Sequence, residues 1–159
     1  MNSAAGAALL LALAVTAHNL EEMIWLPGFK PGLAPTISAR AFRFAASAIA
    51  VVFWAFAIAV PYVPGAEAIM AGFAVAMMVN AVVPHLALTA WLRRYHPGTA
   101  TAWLAVVPAG LFMIASVGGV ARLSDPDFLI SAVAGFAGLV ISLPVLLLIG
   151  RLLVSGKRS

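Results

Sequence analysis

A chain of 159 residues with 64% hydrophobic and only 9% charged side chains cannot clothe a soluble domain, whose surface normally carries about a quarter charged residues. The formal net charge of +4 comes from basic residues scattered singly or in pairs, with no basic stripe interleaved with aromatics, so nucleic acid is excluded as a partner and the charge reads as topological. The absence of cysteine excludes disulfides, thiolate metal sites, iron–sulfur clusters and cysteine nucleophiles together.

The apolar residues fall in runs long enough to cross a bilayer, which needs roughly 20 per helix. Backbone groups in hydrocarbon must be satisfied within the segment, so the runs predict helices. The expected fold class is all-α: one polytopic transmembrane bundle over 1–159, with about five spans. The first run, 4–25, follows Met1-Asn2-Ser3, which offers no positive region of a signal peptide. Val15-Thr16-Ala17 has the small residues of a cleavage site, but the run continues to Trp25 and reads as a retained span. Pro27, Gly28, Pro31, Gly32 and Pro35 separate it from the second run, 39–61. Pro61, Pro64 and Gly65 precede the third, 66–92; Pro97 and Gly98 precede the fourth, 99–121; Pro126, between Asp125 and Asp127, precedes the fifth, 128–153. Ser131 with Gly135, and Ala134 with Gly138, give small-xxx-small spacing suited to close helix packing within the chain or in a homo-oligomer.

Lys30, Arg40, Arg43, Arg93, Arg94, Arg151, Lys157 and Arg158 fall on one side of the predicted membrane, and Arg122 alone on the other. Lys and Arg favour cytoplasmic loops, so the N-terminus is expected outside and the C-terminus in the cytoplasm. Trp25, Trp91 and Trp103 then lie at cytoplasmic span ends, where amphipathic rings favour the headgroup level.

Ionisable groups inside spans are expensive and mark function by default. The first span holds His18-Asn19-Leu20-Glu21-Glu22. On a helix, Glu21 and Glu22 lie one turn beyond His18, on either side of its azimuth, and share its face. The third span supplies His85. His18 lies seven residues before Trp25 and His85 six before Trp91, which at ~1.5 Å per residue puts both imidazoles about 10 Å below the cytoplasmic belt. Pro84 frees the Asn80 carbonyl and bends the helix, and the Asn80 side chain is placed to line a cavity there. His18, Glu21, Glu22 and His85 form a hard-to-borderline donor set suited to a divalent metal such as Zn, Fe or Mn. A carboxylate left free of the ion, Glu21 or Glu22, suits a general base. Tyr95 at the membrane interface is a candidate proton donor, whereas His96 in the same loop is expected in solvent. Glu67, Asp125 and Asp127 read as capping and turn residues.

The H-x-x-E-E string, a lone histidine in a later span and a following Y-x-P-G resemble the HXXEE family of small bacterial membrane proteins. These motifs fall without departure on His18, Glu21 and Glu22, on His85, and on Tyr95, Pro97 and Gly98, covering the first hundred residues or so. The resemblance implies a bacterial inner-membrane protein with a His/Glu site; the family brings no established activity.

Three functions compete on these residues, beside a purely structural or scaffold role. The leading expectation is a metal-dependent enzyme acting on a lipophilic small molecule, with membrane lipids as the surrounding partners. A cation or proton carrier would use the same His/Glu cluster, but needs polar groups along a continuous path. A haem protein would use His18 and His85 as two axial ligands.

Overall fold

The computed structural model describes residues 3–29 and 38–155, and every element within them is helical. Lys30, Pro31, Gly32, Pro35, Lys157 and Arg158 lie outside the described residues. Five helices are long and apolar enough to cross a membrane, compatible with a multi-pass membrane protein. They are α1 (Ser3–Trp25), α2 (Ala39–Ala59), α3 (Ala66–Leu92), α4 (Thr99–Ser116) and α5 (Pro126–Ser155). A 3-10 turn, Leu26–Gly28, extends α1. The fourth helix stops short of the expected residue 121. Gly118 adopts φ +99°, a left-handed conformation that ends helices, and a separate 3-10 turn follows over Gly119–Ser124.

The helices form a ring in the order α1, α2, α5, α3, α4, with α3 also reaching across to α1 and α2. The interior of α1 is largely alanine, with Ala7, Ala8, Leu11, Ala12 and Val15 buried against Phe53, Met70 and Met113 of its neighbours. Side chains this small let backbones approach closely, which is how helices gain packing energy where lipid is the competing solvent. The closest approach joins α3 and α5. A Cβ on Gly72 would lie 2.0 Å from the Ala132 carbonyl oxygen, and one on Gly135 would lie 2.5 Å from that of Ile69. At its other end α5 leans on α2 instead, where a Cβ on Gly150 would come 2.9 Å from the Ala41 Cα. The small-residue spacing on α5 thus divides: Gly135 serves packing, whereas Gly138 faces open space.

Polar stitches add register between α1 and α2. Asn19 Nδ2 donates to the Ala46 carbonyl at 2.9 Å, and Trp54 Nε1 donates to Thr16 Oγ1 at 3.0 Å. Two helices depart from α geometry near the Trp25 end of the bundle. In α3 a π segment spans Ala81–Leu86 around Pro84, and in α4 another spans Ala102–Val106. Proline has no N–H for the Asn80 carbonyl, and the chain absorbs the lost bond as a wider turn in place of a sharp kink.

Replacing Gly72 by leucine drives a Cβ into the α5 backbone, and overpacking of this kind typically costs ~1–3 kcal/mol. Gly72→Leu is expected to lower the thermal midpoint in detergent by several degrees, whereas Gly138→Leu leaves it unchanged. Tryptophan fluorescence during a thermal scan reads both.

Candidate metal centre

Next to the π segment of α3, three side chains from two helices meet in the interior. His18 and His85 are 0% and 1% exposed, and their rings stand edge to face with centroids 4.8 Å apart. Glu22 lies between them, with Oε2 3.6 Å from His18 Nε2 and Oε1 3.5 Å from His85 Nε2. One donor atom from each of the three falls within 4.8 Å of the others, so the group can hold a metal ion. Donors bound to one ion at about 2.1 Å lie roughly 3–4 Å apart, so both histidine–glutamate pairs already match that spacing.

The orientation of His18 is fixed from the far side of its ring. Its Nδ1 lies 3.2 Å from the Gly98 carbonyl oxygen and 3.1 Å from Thr101 Oγ1. The Thr101 hydroxyl donates its hydrogen to Glu21 Oε2 at 2.6 Å, so both atoms facing Nδ1 can only accept from it. The ring proton therefore sits on Nδ1 and the lone pair on Nε2. That Nε2 is buried and has no hydrogen-bond partner. Buried polar atoms are nearly always satisfied, so an orphan lone pair aimed at a carboxylate and a second imidazole signals a ligand site.

His85 differs in having a partner at both ring nitrogens, including the Nε2 that faces Glu22. Asn80 Nδ2 lies 3.1 Å from its Nε2, and its Nδ1 lies 3.2 Å from His96 Nδ1. The histidine expected in solvent is thus 7% exposed and forms the back wall of the site. The loop folds inward because Thr89 Oγ1 accepts from the His96 amide, Phe29 packs edge-on against the ring, and Thr99 Oγ1 donates to the His96 carbonyl. Burial lowers the His96 pKa below the ordinary value, against the pull of the Pro97 carbonyl.

Glu21 and Glu22 part company. Glu21, expected among the ligands, turns to the start of α4. Its carboxylate accepts from the Gly98 amide at 2.9 Å, the Thr101 amide at 3.2 Å, the Thr101 hydroxyl and the Tyr95 hydroxyl. Tyr95 in turn accepts from the Ala100 amide at 3.1 Å. Glu21 and Tyr95 therefore cap the free amides of the first turn of α4, where the helix dipole favours a negative charge. Desolvation, and then the bond to Glu21, raise the Tyr95 pKa, so its hydroxyl stays a donor. Tyr95 faces Glu21 and lies outside the His18, Glu22 and His85 group. Neither glutamate pairs with Arg94, which instead stacks on Phe29 at 4.2 Å.

Gly98 closes the site. It adopts φ +90°, and a Cβ there would come 2.5 Å from His85 Cε1 and 2.9 Å from His18 Cε1. The backbone thus covers both imidazoles as only glycine allows. Thr101 carried no signal in the sequence, because its role depends on where α4 starts.

The H-x-x-E-E string, the second histidine and the Tyr95–Gly98 loop now form one interlocked unit. The family described as "Protein of unknown function with HXXEE motif" matches residues 9–113, about two thirds of the chain. The chain belongs to the HXXEE family. A Bacillus subtilis (strain 168) protein described as "Uncharacterized protein YrkK" is 32% identical over 107 residues, spanning 64% of this chain and 68% of the relative. No solved structure matches. In this HXXEE protein the two acids of the motif face different partners, which the motif's spelling alone does not reveal.

Removing the Glu21 carboxylate strips four backbone or side-chain donors of a charged acceptor, and each such bond is worth ~1.5–3 kcal/mol. Glu21→Ala is expected to speed amide exchange over residues 95–101 by at least tenfold, while Glu22→Ala leaves exchange there nearly unchanged. Hydrogen exchange read by mass spectrometry distinguishes the two.

Proposed function

We propose that this HXXEE protein is a metal-dependent enzyme of the bacterial inner membrane acting on a lipophilic substrate, with His18, Glu22 and His85 as ligands of one divalent ion. The observation that carries this reading is the buried, unpartnered Nε2 of His18, its lone pair fixed by the Gly98 carbonyl and Thr101. Two imidazoles and one carboxylate make a donor set that suits catalytic Zn and the facial triad of Fe(II), and Mn accepts the same atoms. Three protein ligands leave a position open for substrate or water. A bound ion there supplies Lewis acidity. Glu22 faces both histidines with different oxygens, so one oxygen can ligate while the other holds a proton. Glu21 and Tyr95 are positioning residues: they anchor Thr101 and Gly98, which set the His18 tautomer.

The cluster looks onto a cavity of about 300 Å³ whose walls are largely apolar, including Phe42, Ile49, Met77 and Leu139. A cation carrier needs polar groups onward from the cluster, and the walls beyond Ile49 and Leu139 offer only Ser142. That favours an enzyme on a lipophilic substrate. Two axial haem ligands must stand on opposite faces of a macrocycle, and imidazoles 4.8 Å apart at right angles leave no room for one. The eight-to-one division of Lys and Arg supports an outside N-terminus, a cytoplasmic C-terminus and with them a cluster in the cytoplasmic half of the membrane.

Elemental analysis of tag-free protein in mild detergent tests the metal centre. Wild type is expected to carry about one equivalent of Zn, Fe or Mn per chain, and His18→Ala/His85→Ala to lose it while remaining folded by circular dichroism. Equal metal content in the two proteins, or none in either after supplementation with all three ions, sinks the proposal.

A further inference from the structure

Beyond the cavity at the cluster, α2, α3 and α5 enclose further space at mid-span. A second cavity of about 300 Å³ lies between the same three helices and shares Ile49 and Leu139 with the first. On α2 the walls run from Phe42 to Phe56, which at ~1.5 Å per residue makes a groove about 21 Å long. One leaflet of hydrocarbon is about 15 Å deep, so the groove has the reach of a single extended lipid chain. Each half is at the small end of ligand cavities, which fits one chain and leaves no room for two.

The course of α5 explains why the groove exists. This helix is pressed onto α3 at Gly72 and Gly135, and onto α2 at Gly150, so it crosses the bundle at a slant. Between those contacts Gly138 meets nothing within 4 Å of where a Cβ would stand, and it lines the groove. Toward the cluster the groove is flanked by Val83 on α3 and Val140 on α5, both more than half exposed on the outer face of the bundle. This window opens sideways, where a bilayer would lie. The groove is apolar along its length apart from Ser142, whose hydroxyl donates to the Leu139 carbonyl, and its inner end meets His18, Asn19, Glu22 and Asn80.

We propose that the groove seats one hydrocarbon chain of a single-chain lipid, which enters from the bilayer between α3 and α5 and presents its oxygen-bearing end to His18 and Glu22. The apolar walls match the chain, and the four polar side chains match a hydroxyl or carboxyl end. Burial of the chain offsets little against lipid, so the groove contributes position: it sets which carbon lies at the cluster. The inference rests on the metal-centre reading only for what happens at the polar end.

The test uses a sixteen-carbon fatty alcohol with a diazirine at its far end, photolysed with the full-length protein in nanodiscs, and the labelled residues mapped by mass spectrometry. Labelling is expected on Phe56, Ile69 and Phe73, with at least a tenfold drop in Gly138→Leu. That variant fills the groove without touching the backbone and is expected to retain its metal. Outward-facing Ile141 and Leu148 report the surrounding lipid and stay labelled in both. Labelling confined to outward-facing residues, or groove labelling that survives Gly138→Leu, overturns the proposal. Groove labelling of a protein that carries no metal upholds the chain site and sinks the metal centre, so the two readings fail separately.

Discussion

The carboxylate of Glu21, accepting hydrogen bonds from Tyr95, Gly98 and Thr101, is the contact on which the arrangement of the site depends. It belongs to α1 yet caps α4, and so fixes how two helices distant in sequence meet. Hydrogen bonds to an ionised acceptor are stronger than those between neutral groups, and at a helix N-terminus both the free amides and the dipole favour the carboxylate. Everything deeper follows. Thr101, having given its hydrogen to Glu21, can only accept from His18. The His18 proton is thereby held on Nδ1, and its Nε2 lone pair is left to face Glu22 and His85. One acid of the pair sets the geometry and the neighbouring acid occupies it.

The second constraint is glycine used for proximity. Gly98 lies over both imidazoles in a left-handed conformation, and Gly72 and Gly135 bring α3 and α5 into backbone contact. The first seals the cluster against the loop side. The other two tilt α5, and the tilt leaves the lateral groove. Packing and site are therefore not separable here: the same close approach that substitutes for a large hydrophobic core also determines where the lateral groove lies.

Much of this was legible in the residues. Five apolar runs separated by proline and glycine translate directly into helices, because hydrocarbon tolerates no other spanning element in a chain of this kind. Spacing to Trp25 and Trp91 placed His18 and His85 at one depth, and they meet edge to face. The different fates of Glu21 and Glu22 were not legible. Both flank the azimuth of His18, and only the position of α4 decides which turns inward. His96 read as a loop residue in solvent because sequence order cannot show a loop folding back beneath its own helix. The early end of α4 was concealed by Val117 and Val120, whose apolarity continues the run while Gly118 stops the helix.

X-ray absorption at the zinc edge of zinc-loaded protein probes the proposed ligand set most directly. Wild type should show scattering from two imidazoles with nitrogen at about 2.0–2.1 Å and one carboxylate oxygen, and His18→Ala should retain only one imidazole. Oxygen-only coordination in wild type, or two imidazoles persisting in His18→Ala, would place the ion elsewhere and remove His18, Glu22 and His85 from the centre of the protein's chemistry.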